Sequence, residues 1–447
     1  MLDSYSNQEI VLFNSPLYRD KVEDGETYLP PLGQGYIITS LRECGIPAAL
    51  VDCVYDRLSI DDIVDIINQG AFPNIGFNIF SVNMILVKDI LSRIERDVHI
   101  FLGGKAIAYL WKEILSWNIP HPITFIIGEG EKIFPALLKQ ECTEDPFFED
   151  GLHKVYVVDK DSHYYPRNLD SVSLDRSLFK HREILNRYGR FEACIVASRG
   201  CIYDCTFCGG ATSVNPNITP RTRGYGSLAK EINDIIQIDP HVRSIRILDD
   251  LFLRDRNSII NACTLFNSFP ELHWRCMAHI NTFIHHQALM VDMKRSGCDE
   301  VFIGIESGSL EIRREIQKLG TPQEVIDIIR WLMTAGIDVK GYFMCGFPGE
   351  TEEQLQETLG LSEELYSISK SVPGSFRPIV FQFRPYHGTK LFQQLFPDGT
   401  SISYSRQANL TSSKQQYNFS AGNFSQVNDQ VLERYIQEIG HPNKRGF

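Results

Sequence analysis

At 447 residues the chain exceeds what one hydrophobic core usually organises, and 43% hydrophobic with 22% charged residues excludes extended disorder. A formal charge of −12 speaks against a protein that grips RNA or DNA by its phosphates, so no nucleic-acid partner is expected. No run approaches 18 apolar residues and the N-terminus lacks a basic-then-apolar leader, so no membrane span and no export are expected. Without such a leader, eleven cysteines read as the reduced thiols of a cytoplasmic protein.

Residues 1–135 alternate short apolar runs with helical patterns. The strand candidates are "EIVLFNSPL", "AALVDCV", "NIGFNIFS", "HIFLGGK" and "TFIIGEGE", with four segments of 3.6-residue apolar spacing between them. Such alternation predicts a doubly wound (Rossmann-like) parallel sheet that binds ligands at the carboxyl ends of its strands. Gly33, Gly35, Gly103, Gly104, Gly128 and Gly130 fall at those ends, where they serve either close ligand approach or ordinary turns. Residues 136–190 break the pattern and read as a linker with a small hairpin.

A second alternation runs over 191–390. Its strands are "ACIVASRG", "SIRILDD", "HWRCMAHI", "EVFIGIES", "VKGYFMCGF" and "PIVFQFRPY", separated by helical patterns. Six units predict a partial (β/α)6 TIM-type barrel, so the expected class is α/β throughout. Residues 391–447, rich in Gln, Ser and Asn, read as a small helical appendage over one barrel mouth.

The chemistry concentrates in "SRGCIYDCTFCGG". Cys201, Cys205 and Cys208 place three soft thiolate ligands on a loop after a strand, and such ligands select zinc or iron–sulfur clusters. Structural zinc wants four ligands, usually from two paired motifs, and no second pair stands nearby. Three thiolates leave one iron of a 4Fe–4S cluster open to a substrate or cofactor. The C-x3-C-x2-C spacing, with Phe207 before the last cysteine, resembles the signature of the radical SAM superfamily. That resemblance implies S-adenosylmethionine on the open iron and reductive cleavage of the sulfonium to a 5′-deoxyadenosyl radical. It also implies an electron donor such as flavodoxin or ferredoxin. It assigns cofactor contacts to Phe207, to Gly209 and Gly210 after the third cysteine, and to Asp249 in "ILDDLF". Glu306 and Ser307 in "GIESGS" and Gly346 in "GYFMCGFPGET" complete the set. Ala211 stands where the family carries an acidic residue, and His387 replaces the proline of the family's Pro-Gly-Thr ending.

The first domain resembles the cobalamin-binding domain found upstream of one radical SAM class, through "PPLGQGYIITSLRECG", "VDC", "NIFSVN", "FLGG" and "GEGE". The base-off motif D-x-H-x-x-G is absent. Lys105 and Ala106 stand where the class often has Pro-His, and Gln34, Tyr36 and Ile37 offer bulk that could fill a corrin's space. Cobalamin is carried forward as an open expectation.

Cys345 ends a barrel strand, either as a buried small hydrophobe or as a thiol that returns a hydrogen atom to a substrate radical. With it the reading leans to a cobalamin-free epimerase of a ribosomal peptide or natural product. The alternative is a cobalamin-dependent C-methyltransferase, ahead of a radical dehydratase or a cluster-containing sensor. Tyr203, Arg275 and His279 serve either substrate or barrel packing, and Cys194, Cys263, Cys276 and Cys298 read as core.

Overall fold

A computed structural model describes residues 5, 7–15, 28–180, 185–216, 218–397, 405–406, 419–420 and 422–442. The N-terminal alternation folds as β1 (Ile10–Asn14), α1 (Leu32–Glu43), β2 (Ala48–Asp52), α2 (Ile60–Gln69), β3 (Asn74–Asn78), α3 (Met84–Ser92), β4 (His99–Gly103), α4 (Ile107–Leu115), β5 (Ile123–Gly128) and α5 (Ile133–Leu138). Local chemistry sets these boundaries. In α2, Ser59 and Asp62 form a reciprocal capping box, and Ile63, Val64, Ile66 and Ile67 make the buried stripe. Two core layers, one including Ile63, Ile75 and Leu102 and the other Ile38, Phe101 and Phe134, cover the two faces of the sheet.

The sheet does not stop at residue 135. The hairpin expected in the linker is β6 (Phe148–Glu149) with β7 (Lys154–Val158), and β7 pairs in parallel with β5. The order is β2-β1-β3-β4-β5-β7-β6, which carries the first domain's sheet to residue 158. "KVYVV" supplies the β-branched, apolar composition for this, which a reading focused on helix–strand alternation passes over.

The second domain comprises β8 (Phe191–Ile195), β9 (Ser198–Arg199), β10 (Arg221–Thr222), α6 (Tyr225–Ile238), β11 (Val242–Ile247), α7 (Arg256–Asn267), β12 (His273–Ala278), α8 (Gln287–Arg295), β13 (Cys298–Glu306), α9 (Leu310–Glu315), α10 (Pro322–Thr334), β14 (Asp338–Cys345), α11 (Glu352–Ser369), β15 (Phe376–Gln382) and α12 (Lys390–Leu395). Its six parallel strands lie in the order β15-β14-β13-β12-β11-β8, an open barrel of six strands as the sequence predicts. Alternation along each strand separates two faces. Ile245, Trp274, Cys276, Val301, Ile303, Phe343 and Cys345 pack into the helix layer. Arg246, Phe302, Lys340, Tyr342 and Phe381 meet one another on the opposite, inner face.

The last helix, α13 (Asp429–Gly440), does not cap a barrel mouth. Leu432, Tyr435, Ile436 and Ile439 join the helix-side core, and the Ser362 hydroxyl of α11 donates to the Ile439 carbonyl at 2.9 Å. Most of the Gln/Ser/Asn-rich stretch before it lies outside the described residues. Among the described residues no helix is long and apolar enough to cross a membrane.

Candidate active site at the cysteine loop

The two domains meet along the carboxyl ends of their strands. Glu129 and Glu131, from the "GEGE" that ends β5, face Arg199: Nη1 stands 2.8 Å from Glu129 Oε2 and Nη2 2.6 Å from Glu131 Oε1. Arg221 also pairs with Glu129. Arg199 lies over the Tyr36 ring at 5.2 Å, and Arg223 donates to the Tyr36 hydroxyl at 3.4 Å. Tyr36 is therefore an interface residue rather than a plug in the first domain's ligand cleft. His387, in the proline's place, bonds Ser81 Oγ through Nδ1 at 3.0 Å, tying the end of the barrel to the loop after β3.

Two cavities open at this junction. One of about 490 Å³ is lined by Lys105, Gly128, Ser198, Arg199, Cys201 and Asp250, among others. A second of about 230 Å³ is lined by Phe80, Val82, Lys105, Ala106, Gly209, Gly210, Tyr386 and His387. Lys105 borders both and its ammonium lies 3.0 Å from Asp250 Oδ2. The sequence-based concern that Lys105 would fill the cleft gives way to this bridge, which draws the side chain toward the barrel.

The cysteine loop leaves β9 and is fastened on several sides. Thr206 N–H donates to the Ile316 carbonyl at 3.0 Å, Leu391 N–H to the Thr206 carbonyl at 3.0 Å, and Ser213 N–H to Asp204 Oδ1 at 2.8 Å. Phe207 packs edge-on against Phe347, centroids 5.8 Å apart, within an apolar cluster that includes Cys205, Ile312, Ile316 and Phe383. Its observed role is to seat the loop. The Cys201 sulfur accepts from Tyr203 N–H at 3.4 Å and the Cys208 sulfur from Gly210 N–H at 3.3 Å. All three thiols are held above their ordinary range by burial first, Cys208 at about 11, and neighbouring thiols push Cys205 and Cys208 further up. Among the described residues no three His, Cys, Asp or Glu side chains converge on a single metal-ion position. Three soft donors on one braced loop, with backbone N–H groups turned toward sulfur, fit an iron–sulfur cluster, and iron binding would strip their protons.

Around the loop the structure redistributes the predicted contacts. Gly209 borders open space, and a side chain at Gly210 would stand 3.4 Å from the Asp250 carboxyl. Asp249 turns its oxygens to Ala197 N–H (2.8 Å) and Ser198 Oγ (2.6 Å), bracing β8 against β11, and burial raises it to about 6. Asp250, one residue on, is the acid that borders the thiols and pairs with Lys105. Ser307 is fully buried against Thr358 Oγ1 at 3.1 Å and braces α11 instead of facing a cofactor. Gly346 is a left-handed turn (φ 88) whose N–H donates to Glu350 at 2.6 Å and whose open side is covered by Leu432. Cys345 is fully buried on the helix-facing side of β14, and burial followed by Glu350 drives its thiol well above its ordinary range. Strand alternation puts Met344, not Cys345, on the inner face, which removes the basis for Cys345 as a hydrogen donor.

Glu306 is the predicted residue that does face the site. It holds φ 65 at a register shift between β13 and β14, a bulge that re-aims its side chain. Its carboxylate lies 3.1 Å from Lys318 Nζ, and Lys318 acts electrostatically on Cys201 and Cys205. A Cβ at Gly304 would stand 2.3 Å from Glu306 Oε1 and 2.8 Å from Lys318 Nζ, so the ion pair in this position lies directly over the bare glycine. His279 packs against Tyr203 with ring centroids 4.2 Å apart and planes tilted by 33°. Burial, then Lys318 and Arg313, press its pKa down to about 2, so the ring is neutral with Nδ1 accepting from Asn281 N–H. Lys318 carries no sequence pattern that singles it out, whereas Asp250 lies in the "ILDDLF" motif beside Asp249, to which the resemblance assigns the cofactor contact.

A profile described as the Radical SAM superfamily matches residues 195–361, and a B12 binding domain profile matches residues 21–138. The chain carries a radical SAM domain preceded by a B12-binding domain. It is 25% identical over 363 residues to an uncharacterized methyltransferase (PH0819) of Pyrococcus horikoshii, covering 77% of each chain. Its fold is that of the radical S-adenosylmethionine methyltransferase TsrM from Kitasatospora setae, solved with cobalamin and a [4Fe-4S] cluster bound. The TM-score is 0.63 at 15% identity, over 88% of this chain and 78% of that one. The cobalamin-dependent S-adenosylmethionine radical enzyme OxsB, solved with aqua-cobalamin and S-adenosylmethionine, gives 0.64 at 17% identity over 97% and 67%. The radical SAM domain implies a 4Fe–4S cluster and S-adenosylmethionine, and the B12-binding match supports cobalamin beside them.

The first domain's cleft offers polar partners to such a group, in a cavity of about 70 Å³ that Gln34 and Ile37 narrow as the sequence leads one to expect. This cavity, at the carboxyl edge of the domain's sheet, is lined by Gln34, Gly76, Asn78, Phe101, Gly103, Gly128 and Phe134. Gln34 Oε1 and Asn78 Oδ1 are buried without hydrogen-bond partners, two acceptors that the carboxamide N–H groups on a corrin rim would satisfy. Gly128 sits at φ 102 with the Val158 carbonyl 2.2 Å from where a Cβ would stand, so the strand end stays bare.

Proposed function

We propose that this radical SAM protein is a cobalamin-dependent C-methyltransferase. The observation that carries the reading is the pair of cavities joining the glycine-lined strand ends of the B12-binding domain to the cysteine loop, with Lys105 bordering both. The methyltransferases among the similar proteins support it over a cobalamin-free epimerase, and burial of Cys345 leaves the epimerase reading without its donor. When bound, the cluster supplies the electron that cleaves S-adenosylmethionine, and cobalamin supplies a methyl group to a carbon that has lost a hydrogen atom.

The chain's own residues hold and position these groups. Cys201, Cys205 and Cys208 are the cluster ligands, and the N–H groups of Tyr203 and Gly210 stabilise their thiolates. Gly209 leaves its backbone open toward the second cavity. Glu306 and Lys318 form a buried charged pair on the far side of the thiols, suited to the amino-acid end of a zwitterionic cofactor. Arg199, Arg221 and the two "GEGE" carboxylates close the domain junction and keep water from the space between. Electrons come, in this reading, from a low-potential donor such as flavodoxin or ferredoxin, and the substrate is a small natural product or peptide.

The test is transfer of the methyl group of S-adenosylmethionine to a candidate substrate by anaerobically reconstituted protein with hydroxocobalamin. Methylated product that requires cobalamin supports the proposal. Turnover of the same substrate to an epimer with no corrin present would overturn it.

A further inference from the structure

The inner face of the barrel holds a charge that the chain itself leaves unanswered. Across its lowest layer the acids are saturated. Glu192 accepts from Arg275 Nε at 2.9 Å and from Ser244 Oγ at 2.8 Å. Glu300 pairs with Arg275 (2.9 Å), Arg187 (3.0 Å) and Arg377 (2.9 Å). In register with Arg275, Arg246 on β11 is 6% exposed, and its Nε and Nη1 are buried with no hydrogen-bond partner among the described residues. Its guanidinium lies 5.1 Å from the Phe302 ring centroid, and Lys340 Nζ lies 5.4 Å from the same ring. Burying an unpaired guanidinium is costly, and stacking on one aromatic face recovers only part of that cost.

Above this floor the inner face loosens. Leu248, Met277, Gly304, Tyr342, Met344, Ile379 and Phe381 are only half-buried, whereas Phe343 and Cys345 on the other face of β14 are fully buried. Apart from Gly304 these are apolar side chains, on the strands and strand ends between Arg246 and the level of Asp250. Asp250 is four positions beyond Arg246, at most about 13 Å of extended chain at roughly 3.3 Å per residue, of which the strand itself ends at Ile247.

We infer that this inner face is the substrate site and that it takes an acidic substrate, whose carboxylate or phosphate is held by the fork of Arg246. The apolar body of the substrate lies along Met277, Tyr342 and Phe381, and its reacting carbon points to the cysteine loop. The inference deepens the proposed function by naming the substrate class. Arg246 is a specificity-determining residue here, and its distance from the loop sets how far the acid group stands from the carbon that loses hydrogen. A guanidinium presents parallel N–H donors that suit either oxyanion.

The experiment uses full-length protein carrying its cluster, without S-adenosylmethionine, so no turnover is read. Calorimetry and saturation-transfer NMR compare 3-phenylpropionate, phenyl phosphate and the neutral 3-phenylpropanamide. Wild-type protein is expected to bind at least one acid ten-fold or more tighter than the amide, and which acid is preferred distinguishes carboxylate from phosphate. Arg246→Met is expected to lose ten-fold or more of that affinity with iron content and thermal midpoint retained. Should that variant fail to fold, Arg246→Lys, which keeps the charge without the fork, is expected to lose several-fold. Equal binding of acid and amide, no binding of either acid, or unchanged affinity in the variants would overturn the inference. None of these outcomes depends on whether the B12-binding domain takes up a corrin, so a failure here is separable from a failure of the methyl-transfer reading.

Discussion

Gly304 carries the sharpest residue-scale prediction. Gly304→Ala would place a methyl 2.3 Å from Glu306 Oε1 and 2.8 Å from Lys318 Nζ, so both side-chain ends must shift from their place beside the thiols. The expected outcome is at least ten-fold weaker S-adenosylmethionine binding with iron content unchanged, read by equilibrium dialysis on cluster-loaded protein. Cys345→Ala is predicted to behave in the opposite way. Removing a fully buried sulfur should cost roughly 1–2 kcal/mol in urea unfolding and leave turnover per folded molecule intact. Loss of turnover without loss of stability would restore the hydrogen-donor role. The three cysteines were legible because soft ligands at fixed spacing have few other uses. Lys318 and Arg246 were not, because single charged residues acquire meaning only when the fold sets them beside a thiol or inside a barrel, and of the two acids in "ILDDLF" only the fold tells which faces the thiols.

At the scale of elements, the turn between β14 and α11 is held by a carboxylate that burial has pushed up to about 7, although Gly346 and Phe347 N–H groups favour its charged form. The unfolded chain releases this proton near 4.5, so between about 4.5 and 7 the folded state holds a proton that the unfolded state has lost. Its contribution to stability is full below pH 4.5 and is lost as pH rises through 7. Glu350→Gln should therefore flatten the fall in urea midpoint between pH 5 and pH 8, and an unaltered slope would contradict the assignment. Strand and helix order in both domains could be read from periodicity, since parallel α/β units advertise themselves through alternating apolar runs. Three features escaped that reading. The first sheet extends through β7, α13 joins the helix layer, and a bulge at Glu306 re-aims one side chain. Each depends on which surface an element packs against, which local pattern does not record.

For the whole molecule, the account rests on how the two domains are joined. Glu129 holds both Arg199 and Arg221 in a largely buried junction, and removing one partner of such a network leaves uncompensated charge. Glu129→Ala should cost roughly 3–5 kcal/mol. It should also split thermal unfolding into two transitions, one per domain, by scanning calorimetry. The "GEGE" that reads as a ligand loop in sequence thus also locks the domains together, a double use visible only once the barrel is in place.

The measurement that tests the central claim most directly is a cofactor census of anaerobically purified protein expressed with hydroxocobalamin supplied, by iron and sulfide analysis, absorption and mass spectrometry. The account predicts about four irons and one corrin retained per chain. Iron at that level with no corrin, while the protein still cleaves S-adenosylmethionine and turns over substrate, would contradict it.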